Sequence, residues 1–317
     1  MSGGVDSSVA AALLAEQGHD VIGLSMQLYD HSGEMTFGSC CSLDDLYDAR
    51  RVAAAINIPH YILNFEKQFN EHVVSNFVGE YAAGRTPLPC AHCNSDLKFT
   101  TLLDRANGFG ADAVATGHYA RVERTARGTI QLKRGVDPSK DQSYFLFSLT
   151  QAQLARAVFP VGDRAKDAVR DYAQRRGLPV AAKPDSQEIC FVPDHDYARF
   201  LTTHSPEIAR AGDVVDEDGH VLALRPDDRQ VVVGPKTSLE RTTMTASGVN
   251  WIEGVPDGTV RAAVQIRHRH PAASATVRSL GDSRAEVIFD APQIAITPGQ
   301  AAVFYDGDIV AGGGWID

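Results

Sequence analysis

The residues able to do chemistry sit at the start of the chain and on its cysteines. Ser2-Gly3-Gly4-Val5-Asp6-Ser7-Ser8 runs directly into a segment rich in Ala and Leu, which predicts a helix over 8–17 closed by Gly18. Two glycines let backbone N–H groups turn toward an anion. Ser7 and Ser8 add hydroxyl donors, and the helix N-terminus adds its dipole. Such a loop suits a phosphate or pyrophosphate. It is not the Walker loop, because no Gly-Lys-Ser/Thr follows, and it is not GxGxxG. The competing reading is a flexible terminus with a serine cap.

Cysteines stand at 40, 41, 90, 93 and 190, too few for a secreted disulfide scaffold. Cys90-Ala91-His92-Cys93 follows Thr86-Pro87-Leu88-Pro89. A four-cysteine zinc site would need a second pair, and only single Cys190 remains. A thioredoxin-like pair would stand at a helix start after a strand. Here the pair is expected to follow a proline-rich turn and to precede a helix over 97–106 by several residues. Cys190, between Ile189 and Phe191, suits a buried small hydrophobe taken alone. Cys40 and Cys41 are expected to be structural. Sulfur transfer needs one thiol to carry a persulfide and another to resolve it by attack on a sulfur. Two distant cysteines beside an anion-binding loop suit that scheme.

The elements that must position these groups alternate. Strands are expected over 21–26, 61–65 and 112–116, with helices over 43–56, 69–82 and 97–106 between them. That order implies a parallel sheet covered by helices on both faces. The middle is mixed, with helices expected over 151–158 and 163–176. From Gly212 onward, short alternating runs are separated by Asp218-Gly219, Asp257-Gly258 and Asp306-Gly307, which implies a β-domain of barrel type. The expected parts are a nucleotide domain over 1–145, a central mixed domain over 146–210 and a β-rich domain over 211–317.

Composition is ordinary for a globular chain, with 44% hydrophobic and 22% charged residues, which excludes disordered and fibrous classes. No apolar run approaches the roughly 20 residues of a membrane span, and a cytoplasmic location is expected. The net charge of −10 argues against broad, non-specific binding of nucleic acid. It hides an asymmetry. Residues 1–100 carry 5 basic and 12 acidic residues, whereas 121–176 carry 12 basic and 6 acidic. The second stretch is either a set of solvated helix faces or a local basic surface for a polyanion.

SGGVDSS resembles the pyrophosphate loop of the ATP pyrophosphatases. The segments Ser2–Ala11, Arg85–Phe99, Ala115–Arg121, Lys140–Leu146, Lys183–Phe191 and Thr297–Ile316 together resemble the tRNA-specific 2-thiouridylase family. The resemblance implies an ATP pyrophosphatase domain, a mixed central domain and a C-terminal β-barrel. It implies adenylation of the C2 oxygen of wobble uridine 34 in tRNAs for Lys, Glu and Gln, then sulfur delivery from a persulfide on Cys190. The donor would be a cysteine desulfurase or a sulfur carrier. Cys93 matches the catalytic nucleophile, and a transient Cys93–Cys190 disulfide follows. Ser2, Gly3, Gly4, Val5, Asp6, Ser7, Met26 and Gly117 match the ATP site, with Asp6 helping to hold Mg²⁺. Leu88, Pro89 and Cys90 match the target-base segment. Lys140, Asp141, Gln142, Arg267 and His268 match tRNA contacts, His268 replacing a Tyr, and the basic stretch would face the phosphate backbone. Cys90, Cys93 and Cys190 could instead ligate an iron–sulfur cluster. The alternatives are another ATP pyrophosphatase that amidates or ligates, and a non-catalytic tRNA-binding relic.

Two departures accompany the resemblance. Family members have a short strand before the Gly-rich loop, and such a strand is expected upstream of Met1. Their YTIGQRKGLG-type segment is replaced here by Leu222-Ala223-Leu224-Arg225-Pro226-Asp227-Asp228-Arg229, which implies altered engagement of tRNA.

Overall fold

The computed structural model describes residues 1–28, 43–185, 189–192, 196–208, 214–215, 221–223, 231–232 and 235–317. Cys40, Cys41 and most of the replaced segment after Ala223 lie outside the described residues.

The Ala/Leu-rich segment is helical over Val5–Glu16, three residues earlier than the loop residues suggested. Its buried side, including Val9 and Leu13, packs with Val169 and Ala173 of the helix Lys166–Arg175 and with Tyr119. Strands β1 (Gly23–Gln27) and β2 (His60–Asn64) pair in parallel, with the helix Leu43–Ala55 in the crossover. A second parallel pair joins β3 (Val114–Ala115) to β6 (Ala157–Val158). The expected parallel sheet is therefore present as two separate two-stranded pairs. Met1 lies along β1: its ammonium donates to the Leu24 carbonyl, and its own carbonyl accepts from Ser25 Oγ at 2.6 Å.

Two expected helices need correction. Residues 151–158 are helical only over Gln151–Leu154, behind a Thr150 capping box, and the chain then enters β6. The helix expected over 97–106 starts at Pro89 and continues through a π-type stretch, Cys93–Thr101, to Gly108. Proline at the first helical position explains the early start, since its missing N–H would have had no partner there.

The C-terminal third is a closed barrel. The order is β10 (Glu240–Trp251), β13 (Arg284–Ile294), β12 (Ala273–Gly281), β11 (Thr259–Gln265), β14 (Ala301–Asp306) and β15 (Ile309–Ile316), and β15 pairs back onto β10. Inward residues such as Ala246, Val277 and Val287 alternate with more exposed ones, the period-2 pattern of a half-buried strand, whereas β14 is buried on both faces from Ala301 to Tyr305. A hairpin of β4 (Ala120–Arg124) and β5 (Ile130–Arg134) extends the same sheet, because β5 pairs with β15 at Lys133 and Leu132. The barrel is thus hydrogen-bonded to the nucleotide half of the chain. Short strands β7 (Val214–Val215), β8 (Val221–Ala223) and β9 (Val231–Val232) form a separate three-stranded piece.

Candidate active site

The Gly-rich loop is held open by close backbone packing. Gly3 has φ +73°, and a Cβ on it would lie 2.2 Å from the Asp45 carbonyl oxygen. A Cβ on Gly117 would lie 2.6 Å from the Ser7 nitrogen, so the stretch 115–121 presses directly on the loop. Gly4 stands at the capping position before Val5 and brings no side chain to cap the helix, which leaves its positive end for an anion. The Ser2 N–H donates to Ser7 Oγ at 3.1 Å, and the two hydroxyls are also 3.1 Å apart. Met26 lies on β1, half-buried against the core.

Asp6 does not stand free for a metal. Lys166 Nζ donates to both of its carboxylate oxygens at 2.8 Å, and the Tyr119 hydroxyl donates to Oδ1 at 2.8 Å. Burial, and then the Asp6 charge, push the Tyr119 hydroxyl far above its ordinary range, so it stays a donor. With a lysine ammonium on both oxygens, the arrangement does not fit Asp6 as a magnesium ligand.

Lys166 also meets Asp185 at 2.8 Å. Asp185 further accepts from Lys140 at 2.8 Å and from Arg170 at 2.6 Å. Burial works to raise its pKa, but the bonds from Lys140 and Lys166 outweigh it and hold the carboxyl at about 2. Asp185 lies five residues before Cys190. Nearby Lys183 bonds Asp45 at 2.6 Å and Asp48 at 2.7 Å on the helix Leu43–Ala55. The Lys183–Asp185 stretch is thereby tied to the surroundings of the Gly-rich loop from two sides.

Cys90 and Cys93 are free thiols, and each is coupled electrostatically to Cys190. Cys93 is half-buried, and burial pushes its thiol up to about 11; Lys98 pulls it down, while Cys190 and Asp96 push it up. Desolvation of its sulfur, and then charge on Cys190 and Cys93, also push the Cys90 thiol up. Like charges this close do not ionise together, so the set suits one thiolate at a time. Lys98 is fixed by Asn94, whose Oδ1 accepts from Nζ at 2.9 Å and whose Nδ2 donates to the Phe145 carbonyl. His118 is half-buried, and desolvation by the surrounding protein, followed by the Lys98 charge, keeps it neutral well below its ordinary pKa. Among the described residues no three His, Cys, Asp or Glu side chains are placed to hold a metal ion.

The expected tRNA-contact residues turn inward to differing degrees. The Asp141 carboxylate accepts from Arg134 at 2.8 Å, from the Gly135 and Ser143 N–H groups, and from Ser143 Oγ. Gln142 Oε1 accepts from the Tyr119 N–H, and Lys140 holds Asp185. His268 is exposed and its ring lies 4.6 Å from that of Phe145, beside this triplet; Arg267 is half-buried next to it. Leu88 and Pro89 are buried, and Cys90 is exposed. Seven of the twelve cations over 121–176 are engaged in ion pairs, which leaves less free positive surface than the composition implied.

A family model described as "tRNA methyl transferase HUP domain" matches residues 1–194, and one described as "Aminomethyltransferase beta-barrel domain" matches residues 241–316. The protein named tRNA-specific 2-thiouridylase MnmA of Geotalea uraniireducens is 48% identical over 351 residues, covering 100% of this chain and 93% of that protein. Its namesakes in Geobacter metallireducens and Solibacter usitatus are each 49% identical, again over 100% of this chain and over 95% and 98% of theirs. The chain belongs to the tRNA-specific 2-thiouridylase family. Its α/β body and closed barrel coincide with the two matched regions.

Sequence reasoning missed four residues of this site in the family chain. Lys166 has no motif around it; only the fold carries it to Asp6. Asp185 and Tyr119 stand inside the segments 183–191 and 115–121, whose wording was legible while their roles were not. Lys98 could have been found from the corrected helix, which places it about one turn beyond Cys93 on the same side as Asn94.

Proposed function

We propose that this protein is a tRNA-uridine 2-sulfurtransferase that converts wobble uridine 34 to 2-thiouridine at the expense of ATP. The observation that carries the reading is the gathering of Cys90 and Cys93, beside Lys98, with Cys190, whose segment the Asp6–Lys166–Asp185 network joins to the Gly-rich loop.

ATP phosphates sit at the loop Ser2–Ser7, facing the helix N-terminus and the Ser2 and Ser7 hydroxyls. Gly117 closes the loop from the side, and Met26 belongs to the base end of the pocket. Lys166 is the cation nearest the phosphates. Magnesium travels with ATP as its ordinary partner.

The C2 oxygen of the uridine attacks the α-phosphorus, and pyrophosphate leaves. The terminal sulfur of a Cys190 persulfide then adds to C2, and AMP leaves with the oxygen. The base is now held through a C2–S–S–Cys190 link. Cys93 thiolate attacks the Cys190 sulfur, the thiocarbonyl sulfur departs with the base, and a Cys93–Cys190 disulfide remains. A thiol reductant must return that disulfide to two thiols, and a cysteine desulfurase or sulfur carrier must reload Cys190. Lys98 favours the Cys93 thiolate against the burial that opposes it. Leu88, Pro89 and Cys90 border the base; unstacking is cheap there because the anticodon loop is single-stranded. Lys140, Arg267 and His268 flank that approach, with Asp141 and Gln142 as their internal supports. The substrates are the tRNAs for Lys, Glu and Gln, and the location is the cytoplasm; among the described residues no helix is long and apolar enough to cross a membrane.

The test is to supply this gene to a strain lacking its own 2-thiouridylase and to measure nucleosides from tRNA by mass spectrometry. Restored 2-thiouridine at position 34 is expected; its absence, with the protein present and folded, would contradict the proposal.

A further inference from the structure

The C-terminal barrel reaches the cysteine-bearing helix at two points. Upstream, the turn between β13 and β14 grips the residues leading into it. The Thr86 N–H donates to the Pro298 carbonyl at 2.9 Å, and Gln300 Nε2 donates to the Thr86 and Pro87 carbonyls at 3.0 and 3.2 Å. Downstream, the indole of Trp315 stacks on the imidazole of His92, with ring centroids 4.5 Å apart and planes 1° from parallel. His92 stands between Cys90 and Cys93 in the first turn of the helix.

Trp315 is a rigid support. Its backbone sits between two barrel strands, opposite Ala301 on one side and Ser247 on the other. Its ring also meets Phe147 edge-on at 5.4 Å. The Phe147 carbonyl accepts from Asn250 Nδ2 of the barrel at 2.8 Å. On the helix side, His92 Nδ1 lies 3.3 Å from an Asp96 carboxylate oxygen, which limits how its ring can turn.

We infer that the barrel is a positioning device for the sulfur chemistry: Trp315, through the stack on His92, and Gln300, through Thr86 and Pro87, hold the Leu88–Cys93 turn so that Cys93 faces Lys98 and Cys190. Trp315 and Gln300 touch no reacting atom in this account. They act through His92 and the backbone, on the reading of Cys93 proposed above. Burial of Leu88, Pro89 and Ala91 anchors one side of this helix start, but no side chain caps it, so the barrel contacts are what orient the side that carries the two thiols. Small displacements of such a group matter, because a shift of about 1 Å can cost roughly a hundredfold in rate.

The test uses the full chain with His92→Ala, Trp315→Leu, the double variant, Gln300→Ala and the stack-preserving His92→Phe. The first readout needs no substrate: the alkylation rate of Cys93 against pH, followed by peptide mass mapping. Freeing the turn relieves burial, so in His92→Ala and Trp315→Leu the Cys93 profile should move to lower pH and the rate at pH 8 should rise about threefold or more. Gln300→Ala should do the same to a smaller extent. The double variant should match the stronger single, because one stack is lost in both, and His92→Phe should return the wild-type profile. The second readout is turnover: kcat for thiolation should fall about tenfold or more, with the KM for ATP unchanged. Unchanged alkylation profiles in both single variants, or effects of the two that simply add, would overturn the inference. If wild-type protein makes no 2-thiouridine, the proposed function fails by itself, and the alkylation profiles still decide whether the barrel positions Cys93.

Discussion

Lys166 donates to both carboxylate oxygens of Asp6 across 160 residues of sequence, at 2.8 Å each, and the same ammonium reaches Asp185. The pair joins the anion-binding loop to the segment that ends in Cys190. Its lysine is nearly buried, with a side chain 9% exposed, while Asp6 is 31% exposed.

Removing that lysine should cost stability through the carboxylate left behind. A fully buried pair broken on one side costs about 3–5 kcal/mol; partial exposure of Asp6 lowers the expectation to about 1–3 kcal/mol for Lys166→Met. Asp185 keeps Lys140 and Arg170, so Asp6 is the group left uncompensated. Lys166→Met combined with Asp6→Asn should therefore be more stable than Lys166→Met alone. Urea denaturation of the three variants checks this. Destabilisations that sum would mean that the two side chains do not depend on each other.

The Asp185 network should show in the acid limb of stability. Its folded pKa of about 2 lies below the ordinary carboxylate value near 4, so the folded state prefers the ionised form. The contribution is complete above about pH 4 and is lost as pH falls toward 2. It should amount to about 1–2 kcal/mol after allowance for partial exposure. In Asp185→Asn the stability between pH 5 and pH 2 should fall less steeply than in wild type. An unchanged slope would remove Asp185 as a titrating element of the fold.

Lys98 should control the ionisation of Cys93. Burial holds that thiol near 11, and Lys98 is the cation that pulls it down. Lys98→Gln should therefore shift the Cys93 alkylation profile to higher pH and slow the reaction at pH 8 by about fivefold or more, whereas Lys98→Arg should recover most of the rate. A profile indifferent to the charge at position 98 would mean that Lys98 supports the helix through Asn94 and nothing more.

The two thiols should separate by experiment. Cys190→Ser should abolish thiolation while ATP-dependent adenylation persists, because the loop Ser2–Ser7 is built without Cys190. Cys93→Ser should stop turnover with sulfur still attached to Cys190, visible after alkylation and peptide mapping. Normal 2-thiouridine from Cys190→Ser protein would remove the persulfide assignment.

Much of this was legible in the residues, for stated reasons. The Gly-rich loop followed by an Ala/Leu helix is local physics, and the structure returns it with the helix starting at Val5. The barrel was legible because alternation and Asp-Gly turns are also local; Gly258 and Gly307 indeed have positive φ. The cysteine helix was misplaced because its first turn is set by Pro89, while apolar spacing begins only at Leu97. The partner of Asp6 was not legible because a carboxylate in a phosphate loop suggests a metal, whereas the lysine that bonds it comes from residue 166, far outside the loop's own window. Lys140, Asp141 and Gln142 looked like surface contacts; the network that draws them inward depends on Tyr119, Arg134 and Asp185, which no short window contains.

The most direct measurement combines purified protein, ATP, an unmodified tRNA of one expected isoacceptor and a persulfide donor, and follows AMP, pyrophosphate and nucleoside masses together. One AMP and one pyrophosphate are expected for each uridine 34 converted to 2-thiouridine, with a Cys93–Cys190 disulfide accumulating when no thiol reductant is present. AMP and pyrophosphate formed without sulfur entering the base, or sulfur entering with no disulfide formed, would contradict the proposed mechanism.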